Sequence, residues 1–196
     1  NAVVDKDEIQ LLKDFAEDNN DILNWLDDNG EISFEKLQNN VMLAFDGEKY
    51  RVVTIDISGI DVRGILDLSQ FDKLKVLKCT DTKITGLNLA GCNELQELYC
   101  SNSELESLVF PQIVETENST LYALECENNH LDINIFSDDI IKYIECKSGY
   151  ILKYRHQVIN KDISKFNERD YLALCNFATQ RENQSVLNWD LDLPGS

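Results

Sequence analysis

Residues 74–84 (LKVLKCTDTKI), 95–105 (LQELYCSNSEL), 121–131 (LYALECENNHL) and 141–151 (IKYIECKSGYI) are one line of text written four times. Each opens on an apolar residue and repeats one three positions later. Each then places a cysteine at position six (Cys79, Cys100, Cys126, Cys146) and an apolar residue at position eleven (Ile84, Leu105, Leu131, Ile151). The starts at 74, 95, 121 and 141 are separated by 21, 26 and 20 residues, so the chain carries an internal repeat with an insertion of about five residues before Leu121. An earlier copy without the cysteine, Val52-x-x-Ile55-x-Ile57-x-x-Ile60-x-Val62, raises the number of coils to five.

This spacing suits a short strand followed by a turn, with the apolar positions on one side. A single coil of that kind cannot bury its apolar side. Stacked coils bury it against one another, and the two ends of the stack then need covering elements that are polar outside and apolar inside. Residues 5–26 supply one such element. Ile9, Leu12, Phe15 and Ala16, then Ile22, Leu23, Trp25 and Leu26, recur at helical spacing, with a break at Asn19-Asn20 and with Asp5 or Asp7 placed to cap the start. A turn at Asp27-Asp28-Asn29-Gly30, a short amphipathic piece through Phe34 and Leu37, and a hairpin around Asp46-Gly47 follow. Thirteen acids against three lysines in residues 1–48 read as the solvated outer face of a terminal cap, with an acidic docking site for a cationic partner as the sharper alternative.

Composition bounds the function. A chain of 196 residues with 43% hydrophobic side chains is long enough for a sizeable core in one domain or two small ones. A net charge of −18 excludes phosphate-backbone binding, which needs clustered lysine and arginine, so nucleic acid is not expected as a partner. No apolar run has the length of a membrane helix, and no signal peptide is visible; the missing initial methionine fits a mature or excised fragment. Four of the six cysteines stand where this repeat has its apolar column, and they are expected to be buried, reduced core residues instead of disulfide partners. They are spaced about 20 residues apart, not in metal-binding pairs, and only His130 and His156 are available beside them, so no metal or other cofactor is expected. No GxSxG, HExxH or phosphate-binding glycine loop occurs, which leaves no catalytic residues to nominate and makes the expectation noncatalytic.

The order of Leu12-x-x-Phe15, Leu23-Asn24-Trp25, a hairpin and then VVTIDISG (52–59) resembles the amino-terminal cap and first coil of leucine-rich repeat proteins. LKVLKCTDTKITGLNLAGCNELQELYCSNSELESL (74–108) and LYALECENNHLDI (121–133) are similar to bacterial surface leucine-rich repeats, whose coils run LxxLxCxxNxLxxLxLxxC. The resemblance spans residues 7 to about 152. The side chain three residues after the cysteine departs from it, being Thr82, Ser103, Asn129 and Gly149, so one coil keeps the asparagine while Thr82 and Ser103 stand in for part of its hydrogen bonding. The resemblance implies an α/β leucine-rich repeat solenoid of about five short coils with helical caps at both ends. Its parts are an amino-terminal cap and hairpin (1–50), the coils (51–155), and residues 156–196 as a carboxy-terminal cap or the start of a second unit. The second alternative rests on Leu174, Phe177, Ala178, Leu187, Asn188 and Trp189, which echo Leu12, Phe15, Ala16, Leu23, Asn24 and Trp25 around a helix read over 164–183. Tyr150, Leu152 and Tyr154, alternating with Lys153 and Arg155, read as a last strand that closes the stack.

Side chains alternate along a strand, so positions three, five and seven of each line face outward. Position three holds Thr54, Val76, Glu97, Ala123 and Tyr143; position five holds Asp56, Lys78, Tyr99, Glu125 and Glu145; position seven holds Ser58, Thr80, Ser101, Glu127 and Lys147. Lys78, Glu97, Tyr99, Glu125, Tyr143 and Glu145 are the candidate ligand-binding residues, because tyrosine among charges is a usual interface anchor. Together these readings describe a monomeric, noncatalytic recognition module of a secreted or cell-surface protein, binding an unidentified protein or peptide. A spacer unit in a tandem surface protein and an accessory domain of a larger enzyme are the alternatives.

Overall fold

The computed structural model describes residues 3–155 and 157. The helix read over 164–183, the repeated cap text beyond it, the segment 156–196 as a unit and His156 all lie outside the described residues.

The architecture is mixed α/β with parallel sheets and few helices. Helix α1 (Lys6–Asp18), two single-turn helices α2 (Asn20–Leu23) and α3 (Phe34–Leu37), and a hairpin of β1 (Val41–Phe45) and β2 (Tyr50–Asp56) open the chain. Strands β3 (Arg63–Asp67), β4 (Val76–Lys78), β5 (Lys83–Asn88), β6 (Glu97–Tyr99), β7 (Ser107–Val109) and β8 (Ala123–Glu125) follow, and then helix α4 (Asp138–Glu145) and strand β9 (Ile151–Lys153). From β2 to β8 the even-numbered and odd-numbered strands part company. One sheet has the order β1-β2-β4-β6-β8-β9, antiparallel at its first pair and parallel thereafter; the other has the order β3-β5-β7 and is parallel throughout. Each circuit of the chain from β2 to β7 therefore adds one strand to each sheet, and the core lies between them. No helix among the described residues is long and apolar enough to cross a membrane.

The repeat explains the stacking residue by residue. Ile55, Leu77, Leu98, Leu124 and Leu152 stand in one register row across the larger sheet, and the first four have no exposed surface. Two residues further on, Ile57, Cys79, Cys100 and Cys126 form a second row, equally buried. The turn that follows needs a left-handed residue, and it falls at Gly59 (φ 70°), Asp81 (57°), Asn102 (55°) and Asn128 (56°), residue types that tolerate this conformation. In the connections that follow β3 and β5 the backbone approaches so closely that a Cβ on Gly91 would sit 1.9 Å from the carbonyl oxygen of Ser69.

Buried carbonyls at the strand ends find partners by the expected substitution. Thr82 Oγ1 donates to the carbonyl of Cys79 at 3.0 Å, and Ser103 Oγ donates to the same carbonyl at 2.9 Å. Asn129 Nδ2 reaches the carbonyls of Cys100 and Cys126 at 2.8 and 3.1 Å, while its Oδ1 accepts from Leu105 N–H at 3.2 Å. In the last circuit Gln157 takes the asparagine's part: its Nε2 donates to Cys126 at 2.8 Å and its Oε1 accepts from Leu131 N–H at 3.3 Å.

At the amino-terminal end α1 packs against β3. Asp5 caps α1 by accepting from Asp7 and Glu8 N–H, and α1 stops at the break read from Asn19-Asn20. Asn19 is fully buried and pairs with both backbone groups of Arg63, so it ties the end of α1 to the edge strand β3. Strand β2 serves twice, as the second arm of the hairpin and as the first member of the parallel row.

One repeat is not what its text suggests. The line beginning at Ile141 was expected to form a strand, yet residues Asp138–Glu145 are helix α4. Apolar residues three apart fit a helical face as well as the strand template. Here Ser137 caps the helix by accepting from Ile140 N–H, Asp138 and Asp139 complement its dipole, and Ile140 and Ile144 are buried. The strand that pairs with β8 is β9, whose line starts at Gly149 and puts Tyr154 in the cysteine column. Cys146 is consequently exposed, contrary to the expected burial of all four repeat cysteines.

Candidate functional site

The outward side of the larger sheet presents two register rows. One runs Met42, Thr54, Val76, Glu97, Ala123, Ile151; the other runs Asp56, Lys78, Tyr99, Glu125, Lys153. Lys78, Glu97, Tyr99 and Glu125 thus stand together on β4, β6 and β8, as the alternation rule requires. Tyr143 and Glu145 do not join them. Both belong to α4, and their places in the two rows are taken by Ile151 and Lys153 of β9. Lys147, also read onto this face, lies in the bend after α4, and Ser101 is buried, its Oγ accepting from Glu127 N–H at 3.2 Å.

Glu97 is the centre of the arrangement. Its Oε2 accepts from the hydroxyl of Tyr99 at 2.9 Å, and its Oε1 accepts from the hydroxyl of Tyr122. Tyr99 is on the same strand two residues away, whereas Tyr122 reaches over from the residue preceding β8. Burial and the Glu97 hydrogen bond push the Tyr99 phenol up to about 12, and the Glu97 bond raises Tyr122 as well. Both phenols stay protonated donors, and both rings are held by their tips. Around them the Lys78 ammonium lies 6.0 Å from the Tyr99 ring centroid, and Lys153 pairs with Glu125 at 3.0 Å.

Tyr122 escaped the sequence reading because it occupies position two of its line, outside the counted positions three, five and seven. The signal was present in the tyrosine pair Tyr122 and Tyr150, which hold that position in successive circuits of the structure. Tyr150 is 46% exposed.

The cysteines among the described residues give no second site. Cys79, Cys100 and Cys126 are buried free thiols, as read from their column, and Cys92 joins them with its Sγ donating to the carbonyl of Leu68. Its neighbouring thiol and burial push Cys79 well above the ordinary value, and burial pushes Cys92 up to about 12. A thiol reagent applied to the native protein, with labelled peptides mapped by mass spectrometry, should modify Cys146 quickly and Cys79, Cys92, Cys100 and Cys126 only after denaturation. Prompt native labelling of Cys100 would contradict the sealed interior. Among the described residues no group of three histidine, cysteine, aspartate or glutamate side chains is placed to hold a metal ion.

Comparison of the chain with protein-family models, with curated proteins and with solved structures finds no match.

Proposed function

We propose that the chain is a leucine-rich repeat solenoid of about five short coils with helical caps. We further propose that it acts as a noncatalytic recognition module of a bacterial secreted or cell-surface protein, binding a protein or peptide as a monomer through the outward face of the larger sheet. The observation that carries this reading is the pair of tyrosines fixed on Glu97. A tyrosine whose hydroxyl is already tied loses little side-chain freedom when a partner lands on its ring, and prepaid ordering of that kind raises affinity. Aromatic residues of this size anchor interfaces, while charges at the rim, here Asp56, Lys78 and Glu125, govern encounter rate and salt dependence. Phenols held protonated serve recognition better than proton transfer, which favours a binding role over a catalytic one.

The test compares immobilised wild-type protein with a Tyr99→Ala/Tyr122→Ala variant of equal melting temperature. Proteins of the cell's surroundings captured by the first and lost by the second, then confirmed by titration of the purified partner, support the reading. Identical captured sets would favour a spacer unit that binds nothing through this face.

A further inference from the structure

The Glu97 carboxylate is set apart from the other acids of the sheet face by the two phenols that donate to it. Glu125 in the neighbouring row is neutralised by Lys153 at 3.0 Å, but among the described residues no lysine or arginine lies within ion-pair distance of Glu97. Its charge is held by two phenols instead. An ionised carboxylate offers about four lone-pair sites, so two tyrosine hydroxyls leave about two unused. Those two are fixed in direction, because Tyr99 anchors one oxygen from the same strand and Tyr122 anchors the other from the next circuit.

We propose that Glu97, Tyr99 and Tyr122 form a receptor for the guanidinium group of an arginine side chain carried by the partner. The inference rests on the sheet face being the recognition surface. A guanidinium presents paired N–H donors in a planar fork that matches a carboxylate with two open lone pairs, whereas an ammonium is a point donor without that geometry. The same flat cation stacks on tyrosine, and the two rings beside the carboxylate supply that contact. Lys78, at 6.0 Å from the Tyr99 centroid, already shows a cation settling toward this ring within the chain. A net charge of −18 draws a cationic segment toward the protein from a distance.

The probes are N-acetyl-arginine amide, its uncharged citrulline analogue and N-acetyl-lysine amide, each titrated into the whole chain while the ring resonances of the tyrosines are followed. The arginine probe should shift Tyr99 and Tyr122 saturably, with roughly tenfold preference over citrulline, the scale of one charge-assisted hydrogen bond. Glu97→Gln keeps the size of the side chain and an acceptor for a phenol but removes the charge, and it should abolish that preference while the amide spectrum stays folded. Equal binding of arginine and citrulline, lysine binding as tight as arginine, or an unaltered preference in Glu97→Gln would each overturn the proposal. A protein partner that is lost with Tyr99→Ala/Tyr122→Ala yet indifferent to Glu97→Gln would leave the recognition face standing and refute the guanidinium receptor alone.

Discussion

Glu8→Ala should cost about 3–5 kcal/mol in a urea melt, the range found when one member of a buried ion pair is removed and the other stays behind. Glu8 has no exposed surface, and its two oxygens are both used: Oε1 accepts from Arg51 at 2.9 Å and Oε2 accepts from the backbone N–H of Val52 at 2.8 Å. Alanine would leave a buried amide without an acceptor and a cavity between α1 and β2. Arg51, 9% exposed, would keep Asp72 and the more distant Asp5 and Asp46, so the loss belongs near the lower end of that range. Burial raises the Glu8 carboxyl above its usual value even though Val52 and Arg51 act the other way. The folded chain therefore binds this proton more tightly than the unfolded one, and at neutral pH the charged form is held at a penalty that acidification relieves. Glu8→Gln, neutral and of the same shape, should for that reason lose less than Glu8→Ala. A Glu8→Ala loss under about 0.5 kcal/mol, the size of an ordinary surface change, would mean that α1 is not fastened to the sheet through this pair.

What the text of the chain discloses about the fold depends on how many signals agree at each place. The break between α1 and α2 was legible because Asn19-Asn20 interrupts a helical apolar pattern, and the buried side chain of Asn19 then finds the edge of β3. The hairpin was legible because Asp46-Gly47 is a turn signal ahead of the alternating Val53, Ile55 and Ile57. The parallel row of strands followed from the similar lines that start at Leu74, Leu95 and Leu121. At Ile141 two signals conflicted: the repeat template asked for a strand, while Ser137, Asp138, Asp139 and Ile140 wrote a helix start. The capping groups prevailed because the chain after Leu131 turns away from β8 and needs a local structure to satisfy its own backbone before returning at Ile151. That error carried Tyr143 and Glu145 onto the wrong face. Missing Tyr122 had another cause. Alternation assigns faces within a strand, but Tyr122 precedes β8, and its hydroxyl arrives at Glu97 by crossing from one circuit to the one before. Gln157 was overlooked because the line to which it belongs starts at Gly149, where no apolar residue marks the opening.

Leu98→Ala should remove about 2–5 kcal/mol by transfer and cavity terms together, and the upper half of that range is expected. Leu98 is fully buried in the middle of its row, with Leu77 and Leu124 on the flanking strands in register. Those strands are held at ladder distance by parallel backbone bonds, so the walls of the void cannot close on it. Leu152 occupies the same row on β9 but is only half-buried, and Leu152→Ala should cost less, which turns one row into an internal control. Lys78→Ala, on the opposite side of β4, should stay within about 0.5 kcal/mol because Lys78 is outside the core and has no ion pair to lose among the described residues. In a stack where each strand meets only its neighbours, a weakened centre also separates the two ends, so the Leu98→Ala transition should broaden as well as shift. Equal losses at Leu98 and Leu152 would mean that the end of the row is as well covered as its centre, and a larger loss at Lys78 would invert the two faces of the sheet.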